Sequence, residues 1–535
     1  YNRGNAEQAR SGHAAAAKDF KKAAKLRPDY YEAWNNLGSA YMSMAENKKA
    51  IDALRKTLTF IPTHPIPLTN LVVMENRMCD WSRRSKHIAL LKKALYQETS
   101  EGRALVTPFH SFEFDLTPDE CKLNALAWSR RVDERVRHLA DFEPGGLALA
   151  KGSTRLRVGY LSGSGFHNST TTARSMRSQY SMHDRMTTEV YCYAGQPSDG
   201  SEVREVIRKG CDRFVELAGM NYEQVAERIR GDGVNVLIDL TGYTMNMQTE
   251  IVAIGPAPVQ VSFHGFPGTM GADFIHYLVA DPRTTPPEHP EFYTESLILV
   301  PHTYLTNDHR QSRREVFATP PARADFGFGE EDLVLCSFNQ LYKIEPRVFE
   351  VWMRLLKALP HAKLWILRFT DDGAKKLAKY AEKHGVSPDR IVVHDQFPAE
   401  REFLIKGLAD LFLDTPLFNA HTTGGDVLWS GVPILTLPGE GFAQRVASGL
   451  VASAGMGYMA ARTMEDYYDL ALALSRNPKT LKAIASRLRE DRDKLPLFDT
   501  RLLTSELDRG LHMSWEVQEV YGTGSRYHLI VSERR

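Results

Sequence analysis

The apolar positions at the start of the chain recur with helical spacing, and then the whole block recurs. Gly4, Ala16, Phe20, Ala23 and Pro28 are answered 34 residues later by Gly38, Ala50, Leu54, Thr57 and Pro62. This period predicts stacked pairs of antiparallel helices. The second copy adds Trp34, Leu37 and Tyr41, a buried stripe for its first helix, while the small Ala50 lets the second helix approach closely. A third copy begins near Pro65 and decays after Leu71. Stacked repeats need about three units for stability. The stretch from Cys79 to Leu139, helical in spacing but without the repeat signature, is therefore expected to cap the array and join it to the next domain.

From Arg155 the period changes. Short β-rich runs at Leu156 to Ser162, Glu189 to Ala194, Asn235 to Leu240, Val259 to Phe263, His276 to Ala280 and Leu297 to Val300 alternate with polar or amphipathic stretches. The segment Thr303 to Pro321 interrupts this series. A second one comes after it at Leu333 to Phe338, Leu364 to Arg368, Ile391 to His394, Leu411 to Asp414 and Pro433 to Leu437. Alternation of this kind predicts parallel α/β units. The period and residue types of the first 64 residues match the tetratricopeptide pattern. The expected architecture is thus α followed by α/β: an α-solenoid of tetratricopeptide repeats over 1–64, a helical linker over 65–154, and two Rossmann-like lobes over 155–320 and 321–535. Ligands of such sheets sit outside the carboxyl ends of strands, which places the chemistry in the cleft between the lobes.

Composition narrows the function classes. The chain has 535 residues, 43% hydrophobic, with 67 Lys and Arg against 66 Asp and Glu, so its net charge of +1 supplies no global field for nucleic acid. No run of about 18 apolar residues occurs and Tyr1 to Arg10 is polar, so neither a membrane span nor a signal peptide is expected. Tyr1 is not an initiator Met. The five cysteines are widely spaced without a CxxC pair, which argues against a compact disulfide framework or a zinc finger and favours a reducing, cytoplasmic setting.

Candidate chemistry lies just after the strand-like runs. Gly163-Ser-Gly165-Phe-His-Asn168 imitates a dinucleotide loop but has Asn168 where the third Gly packs helix against sheet, which also makes a Rossmann dehydrogenase a poor reading. It is either a phosphate-binding turn or an ordinary strand-to-helix turn, and His167 on it is expected to face the cleft. In Phe338-Asn-Gln-Leu-Tyr-Lys343, a Lys at a strand's carboxyl end suits a diphosphate, and a single Lys there equally reads as solvated surface. In Asp414-Thr-Pro-Leu-Phe-Asn-Ala-His421-Thr422-Thr423-Gly424-Gly425-Asp426, hydroxyls and glycines at a helix N-terminus let free backbone N–H groups meet phosphate oxygens. Thr422 alone would equally serve as a cap. Asp491-Arg-Asp493 imitates a metal-binding DxD, but it lies in a charged helical stretch and reads as solvated surface.

With these motifs in hand, FNQLYK, LADLFLDTPLFNAHTTGGDVLW, PILTLPGEGFAQRVA, GPAPVQVSFHGFPGT and the preceding repeats resemble the O-linked N-acetylglucosamine transferase family, in the same order along nearly the whole chain. The resemblance implies a two-lobed GT-B glycosyltransferase that needs no metal or cofactor and inverts the sugar's anomeric centre by direct attack of a Ser or Thr hydroxyl. It implies that Gln340 and Lys343 hold the donor diphosphate, that His421, Thr422 and Thr423 cradle its phosphates, that Asp426 binds ribose hydroxyls, and that His167 is the active-site His. The proton acceptor stays open between His167 and the donor phosphate. Family members usually carry a His six residues before the Leu-Ala-Asp of the second lobe; Glu402 stands there, with Phe403 beside it. The His167 loop lacks the usual His-Pro-Thr, Gly255 replaces a common Arg, and no long insertion separates the lobes. His421, Gln340 and Tyr342 distinguish the chain from plant-type protein O-fucosyltransferases.

The expected function is transfer of N-acetylglucosamine from its UDP conjugate to protein Ser and Thr hydroxyls, with acceptor chains laid along the repeat groove near Asn35 and Asn36. The alternatives are the same fold with another donor, such as GDP-fucose, or a noncatalytic repeat scaffold. Neither nucleic acid nor membrane is an expected partner.

Overall fold

A computed structural model describes residues 1–9, 12–139, 155–522 and 526–533. Six helices open it: α1 (Asn2–Ala9), α2 (His13–Leu26), α3 (Tyr31–Ser43), α4 (Asn47–Phe60), α5 (Pro65–Arg77) and α6 (Arg84–Ser100). The repeated glycines explain the pairing. A methyl group on Gly4 would lie 2.7 Å from the Phe20 ring, and one on Gly38 would lie 2.8 Å from Leu54 Cγ, so each pair closes only because its first helix is bare at that point. Val72 occupies the equivalent place in α5, yet α5 and α6 still pack together and continue the array. After a short helix, Pro108–Ser111, comes the helix Pro118–Val136, opened by a capping box of Thr117 and Glu120. The expected boundary at residue 154 lies outside the described residues.

Among the described residues, the first lobe is a parallel sheet of eight strands: β1 (Leu156–Ser162), β2 (Thr188–Ala194), β3 (Arg213–Glu216), β4 (Val236–Asp239), β5 (Val259–Ser262), β6 (Tyr277–Ala280), β7 (Ser296–Leu299) and, from the chain's end, β13 (Leu529–Ile530). Its order is β13-β7-β6-β5-β4-β1-β2-β3. The second lobe has β8 (Leu333–Ser337), β9 (Ala362–Leu367), β10 (Ile391–His394), β11 (Leu411–Leu413) and β12 (Ile434–Leu435) in the order β10-β9-β8-β11-β12, again parallel. The central strands are buried along their length, as the unbroken apolar runs require. This is the expected α-solenoid followed by two Rossmann-like lobes.

Two expectations change. The division at residue 321 assigns everything to 535 to the second lobe, but the last helix, Thr500–Tyr521, and β13 return to the first. Leu529 pairs with Ile298, and buried His183 of the first lobe meets Asp508 of the returning helix at 2.6 Å. The widely spaced cysteines, whose pattern favours a reducing setting, include one bonded pair. Cys192 on β2 and Cys211, two residues before the neighbouring strand β3, form a disulfide across a 6.3 Å Cα separation.

The array does not hang free. Its α5–α6 turn plugs into the second lobe: Cys79, fully buried with a left-handed φ of 50°, points its thiol at the Leu341 carbonyl. Trp81 stacks on Tyr380 with ring centroids 4.8 Å apart, and Asp80 pairs with Lys376 at 2.9 Å. Leu341 belongs to the same short turn as Lys343.

Candidate active site

A cleft of about 460 Å3 opens where the carboxyl ends of the first-lobe strand β5 and the second-lobe strands β8, β9 and β11 face one another. The first lobe contributes Thr171, Thr172, Arg174, His264 and Leu305; the second contributes Gln340, Lys343, Glu402, Lys406, Phe418, His421, Thr422, Thr423 and Asp426.

Lys343 sits on a one-turn helix that β8 feeds directly, and it is 8% exposed. Its Nζ donates to the Asn419 carbonyl at 2.7 Å and lies 4.0 Å above the Phe418 ring. Burial brings its pKa down to about 7, against a raising influence from Asp414. Asp414 organises both loops. It is fully buried at the end of β11 and accepts from Asn339 Nδ2 at 3.1 Å, from the Ala420 N–H at 2.7 Å and from Thr436 at 2.7 Å. The strand ends thus hold Lys343 against the loop that precedes the helix Thr422–Trp429.

That helix aims its N-terminus into the cleft. His421 is its N-cap, and Thr422 and Thr423 fill its first two positions, whose N–H groups have no partner within a helix. The His421 Nε2 donates to the Ala443 carbonyl at 3.1 Å, which leaves Nδ1 as the acceptor of a neutral ring. Burial, together with Lys343, holds this ring well below its ordinary pKa. One turn on, Asp426 is bound from two sides, by Lys406 Nζ at 3.1 Å and by His309 Nε2 at 2.8 Å. Burial would raise its carboxyl, but Lys406 and His309 keep it well below the usual carboxylate range. Lys406 also meets Glu402 at 2.5 Å; burial would lower its pKa, and Asp426 and Glu402 hold it above the ordinary value.

Of the expected site residues, Gln340, Lys343, His421, Thr422, Thr423 and Asp426 come together here. His167 does not line the cleft. Its turn folds the other way, toward the end of β2, where its Nε2 donates to the Pro197 carbonyl at 2.7 Å. The glycines of that turn serve close packing: a Cβ on Gly163 would fall 1.9 Å from the Asn246 carbonyl oxygen, and one on Gly165 would fall 2.6 Å from that of Gln196. In the array, Asn36 commits its amide to Tyr1 Oη and Asn5 Oδ1, both at 3.1 Å, and so bridges α1 and α3, while Asn35 donates to Asn36 at 3.3 Å. Asp491 pairs with Lys494, and Asp493 with Arg314, at the surface. Among the described residues no three His, Cys, Asp or Glu side chains gather as a metal site, and no helix is long and apolar enough to cross a membrane.

Lys406, His309, Arg174 and His264 escaped the reading of the sequence. Only Glu402 and Lys406 carried a signal, the four-residue spacing of a helical ion pair. His309 lies within the interrupting segment, and its reach to Asp426 across the lobes has no local signature.

Comparison with known proteins gives a consistent picture. The model of the family described as Glycosyl transferase family 41 matches residues 78–319 and 313–507. The chain is 37% identical over 453 residues to a probable UDP-N-acetylglucosamine–peptide N-acetylglucosaminyltransferase SEC of Arabidopsis thaliana, covering 82% of this chain and 46% of that protein. It is 27% identical over 558 residues to a UDP-N-acetylglucosamine–peptide N-acetylglucosaminyltransferase of Caenorhabditis elegans, covering 83% and 48%. The chain thus spans about half the length of these curated relatives. A mutant form of the Thermobaculum terrenum O-GlcNAc transferase is similar in structure, with a TM-score of 0.72 and 26% identity over 96% of each chain.

Proposed function

The chain belongs to glycosyl transferase family 41, and from that premise we propose that it moves N-acetylglucosamine from UDP-N-acetylglucosamine to Ser or Thr hydroxyls of proteins. One observation carries this reading: a buried Lys343 and the open N-terminus of the helix Thr422–Trp429 face the same cleft. In the transfer, a bond forms from the acceptor oxygen to the sugar's anomeric carbon as the bond to the diphosphate breaks. The electron pair leaves with the diphosphate. Lys343 answers that charge as an ammonium, and the N–H groups of Thr422 and Thr423 answer it as oriented dipoles. The free acceptor Nδ1 of His421 suits a donor hydroxyl or N–H. Asp426, held ionised by Lys406 and His309, is placed to accept from ribose hydroxyls. Gln340, exposed at the cleft rim, completes the diphosphate contacts, and acceptor chains approach along the repeat array.

A second donor reading rests on Glu402. Its carboxylate lines the cleft beside Gln396 and the rings of Phe338, Phe369 and Phe397, and a carboxylate accepts from the paired N–H donors of guanine better than from uracil. Hydrolysis and peptide transfer measured with UDP-N-acetylglucosamine, UDP-glucose and GDP-fucose separate the two. Preference for UDP-N-acetylglucosamine with transfer to Ser or Thr is expected; preference for GDP-fucose, or turnover of none, overturns the proposal.

A further inference from the structure

The cleft contains a first-lobe histidine in a conformation that histidine rarely adopts. His264 has φ of +70°, and the N–H of Gly265 donates to the Phe263 carbonyl at 2.9 Å. A bond between residues two apart around a positive φ is a γ-turn of the strained kind. The strain is held from both sides. A Cβ on Gly265 would lie 2.0 Å from the Leu240 carbonyl oxygen, and His264 Nε2 donates to the Thr306 carbonyl at 3.3 Å. His264 is 8% exposed as a residue and lines the same cleft as Lys343 and His421.

We propose that His264 is the catalytic base, its Nδ1 taking the proton from the acceptor hydroxyl as that oxygen attacks the sugar. This deepens the proposed transfer and rests on that reading. The bond to the Thr306 carbonyl fixes the tautomer: Nε2 carries the hydrogen, so Nδ1 holds a lone pair, and among the described residues nothing else engages it. Atoms and electrons balance without a further reactant. The hydroxyl proton passes to Nδ1, the acceptor oxygen bonds to the anomeric carbon, and the pair from the broken bond departs on the diphosphate. His264 comes just after β5, on the lobe opposite Lys343, so base and leaving-group cation stand on opposite walls, as attack from the far face of the sugar requires. Burial pushes the ring down to about 4, which keeps it neutral and ready; the negative donor raises its basicity once bound.

His264→Asn tolerates a left-handed backbone and His264→Gly relaxes it, so neither removes the turn. Both are expected to lose about 100-fold or more in transfer kcat, the scale of general-base catalysis, with UDP affinity within about threefold of wild type. Added imidazole should restore part of the Gly variant's activity. Retention of more than a tenth of wild-type kcat by either variant, or an equal loss in UDP affinity, overturns the assignment. If the wild type transfers no N-acetylglucosamine, the functional reading fails, and the same comparison on hydrolysis of whichever nucleotide sugar it turns over still decides His264. Without any turnover, the ring 15N signals decide: His264 must show the Nε2–H tautomer and move on addition of UDP, and a resonance that does not move overturns the proposal.

Discussion

On the proposed reading, Lys343 meets two demands that conflict before a diphosphate binds and agree once it has. Burial lowers its pKa to about 7, so the side chain is mostly neutral at pH 8, while a diphosphate needs the ammonium. Binding of UDP at pH 8 is therefore expected to take up close to one proton and at pH 6 almost none, measured by calorimetry in buffers of different ionisation enthalpy. Lys343→Met should abolish that uptake. For the empty protein the sign is opposite to that of a paired Lys: below pH 7 the buried charge carries its full cost, and the cost is relieved as pH rises from about 7 toward 10.5. Lys343→Ala should cost transfer at least ~2.7 kcal/mol, about 100-fold, as loss of an oxyanion donor does; more than a tenth of wild-type turnover would remove Lys343 from this role. Because Lys343 and the helix N-terminus supply the neutralising charge, turnover should persist in excess chelator. Strict recovery by manganese after chelation would contradict that and return attention to Asp491 and Asp493.

At the scale of elements, the repeat glycines offer a test in which two effects of known size oppose each other. In a helix interior Ala is better than Gly by roughly 0.8–1 kcal/mol, whereas overpacking costs about 1–3 kcal/mol. Gly38→Ala brings a methyl to 2.8 Å from Leu54 Cγ, so it should destabilise in the native background and become neutral or stabilising beside Leu54→Ala. Denaturant titration of the four combinations measures the coupling, and additivity would show that the helices yield freely. The proposed acceptor groove is tested on α3. Replacing Asn35 and Asn36 by Ala should weaken transfer to proteins more than donor hydrolysis, and equal losses would assign both residues to bridging α1 and α3 instead. Strands with an apolar run were legible: the buried β1 and the half-buried edge strand β10 have the bounds that their runs predict. β3 and β13 were not, because Arg213-Phe-Val-Glu216 is an exposed edge and β13 is two residues long, and neither leaves a hydrophobic run.

Across the whole molecule, the array is anchored on the turn that carries Lys343, since the α5–α6 turn packs against Leu341 of the Leu341–Lys343 turn. Trp81→Ala, which removes the stack on Tyr380, should raise the donor KM severalfold and lower the unfolding temperature, and Trp81→Phe should restore both; an unchanged donor KM would uncouple array from site. The sequence by itself determined the repeat array, the two α/β series and the loops at the ends of β8 and β11, because period, burial and turn chemistry are written in neighbouring residues. It located Lys343, His421, Thr422, Thr423 and Asp426 for the same reason: each lies a short way beyond a strand end. Tertiary structure alone decided the rest. His167 and His264 both come after first-lobe strands, and only the folded chain separates them: His167 is tied to the Pro197 carbonyl away from the cleft, while His264, tied to the Thr306 carbonyl, lines it. The return of the C-terminal helix to the first lobe, the Cys192–Cys211 bond and the reach of His309 to Asp426 likewise join positions well separated along the chain. Such contacts arise from burial and geometry in three dimensions and leave no periodic trace in one.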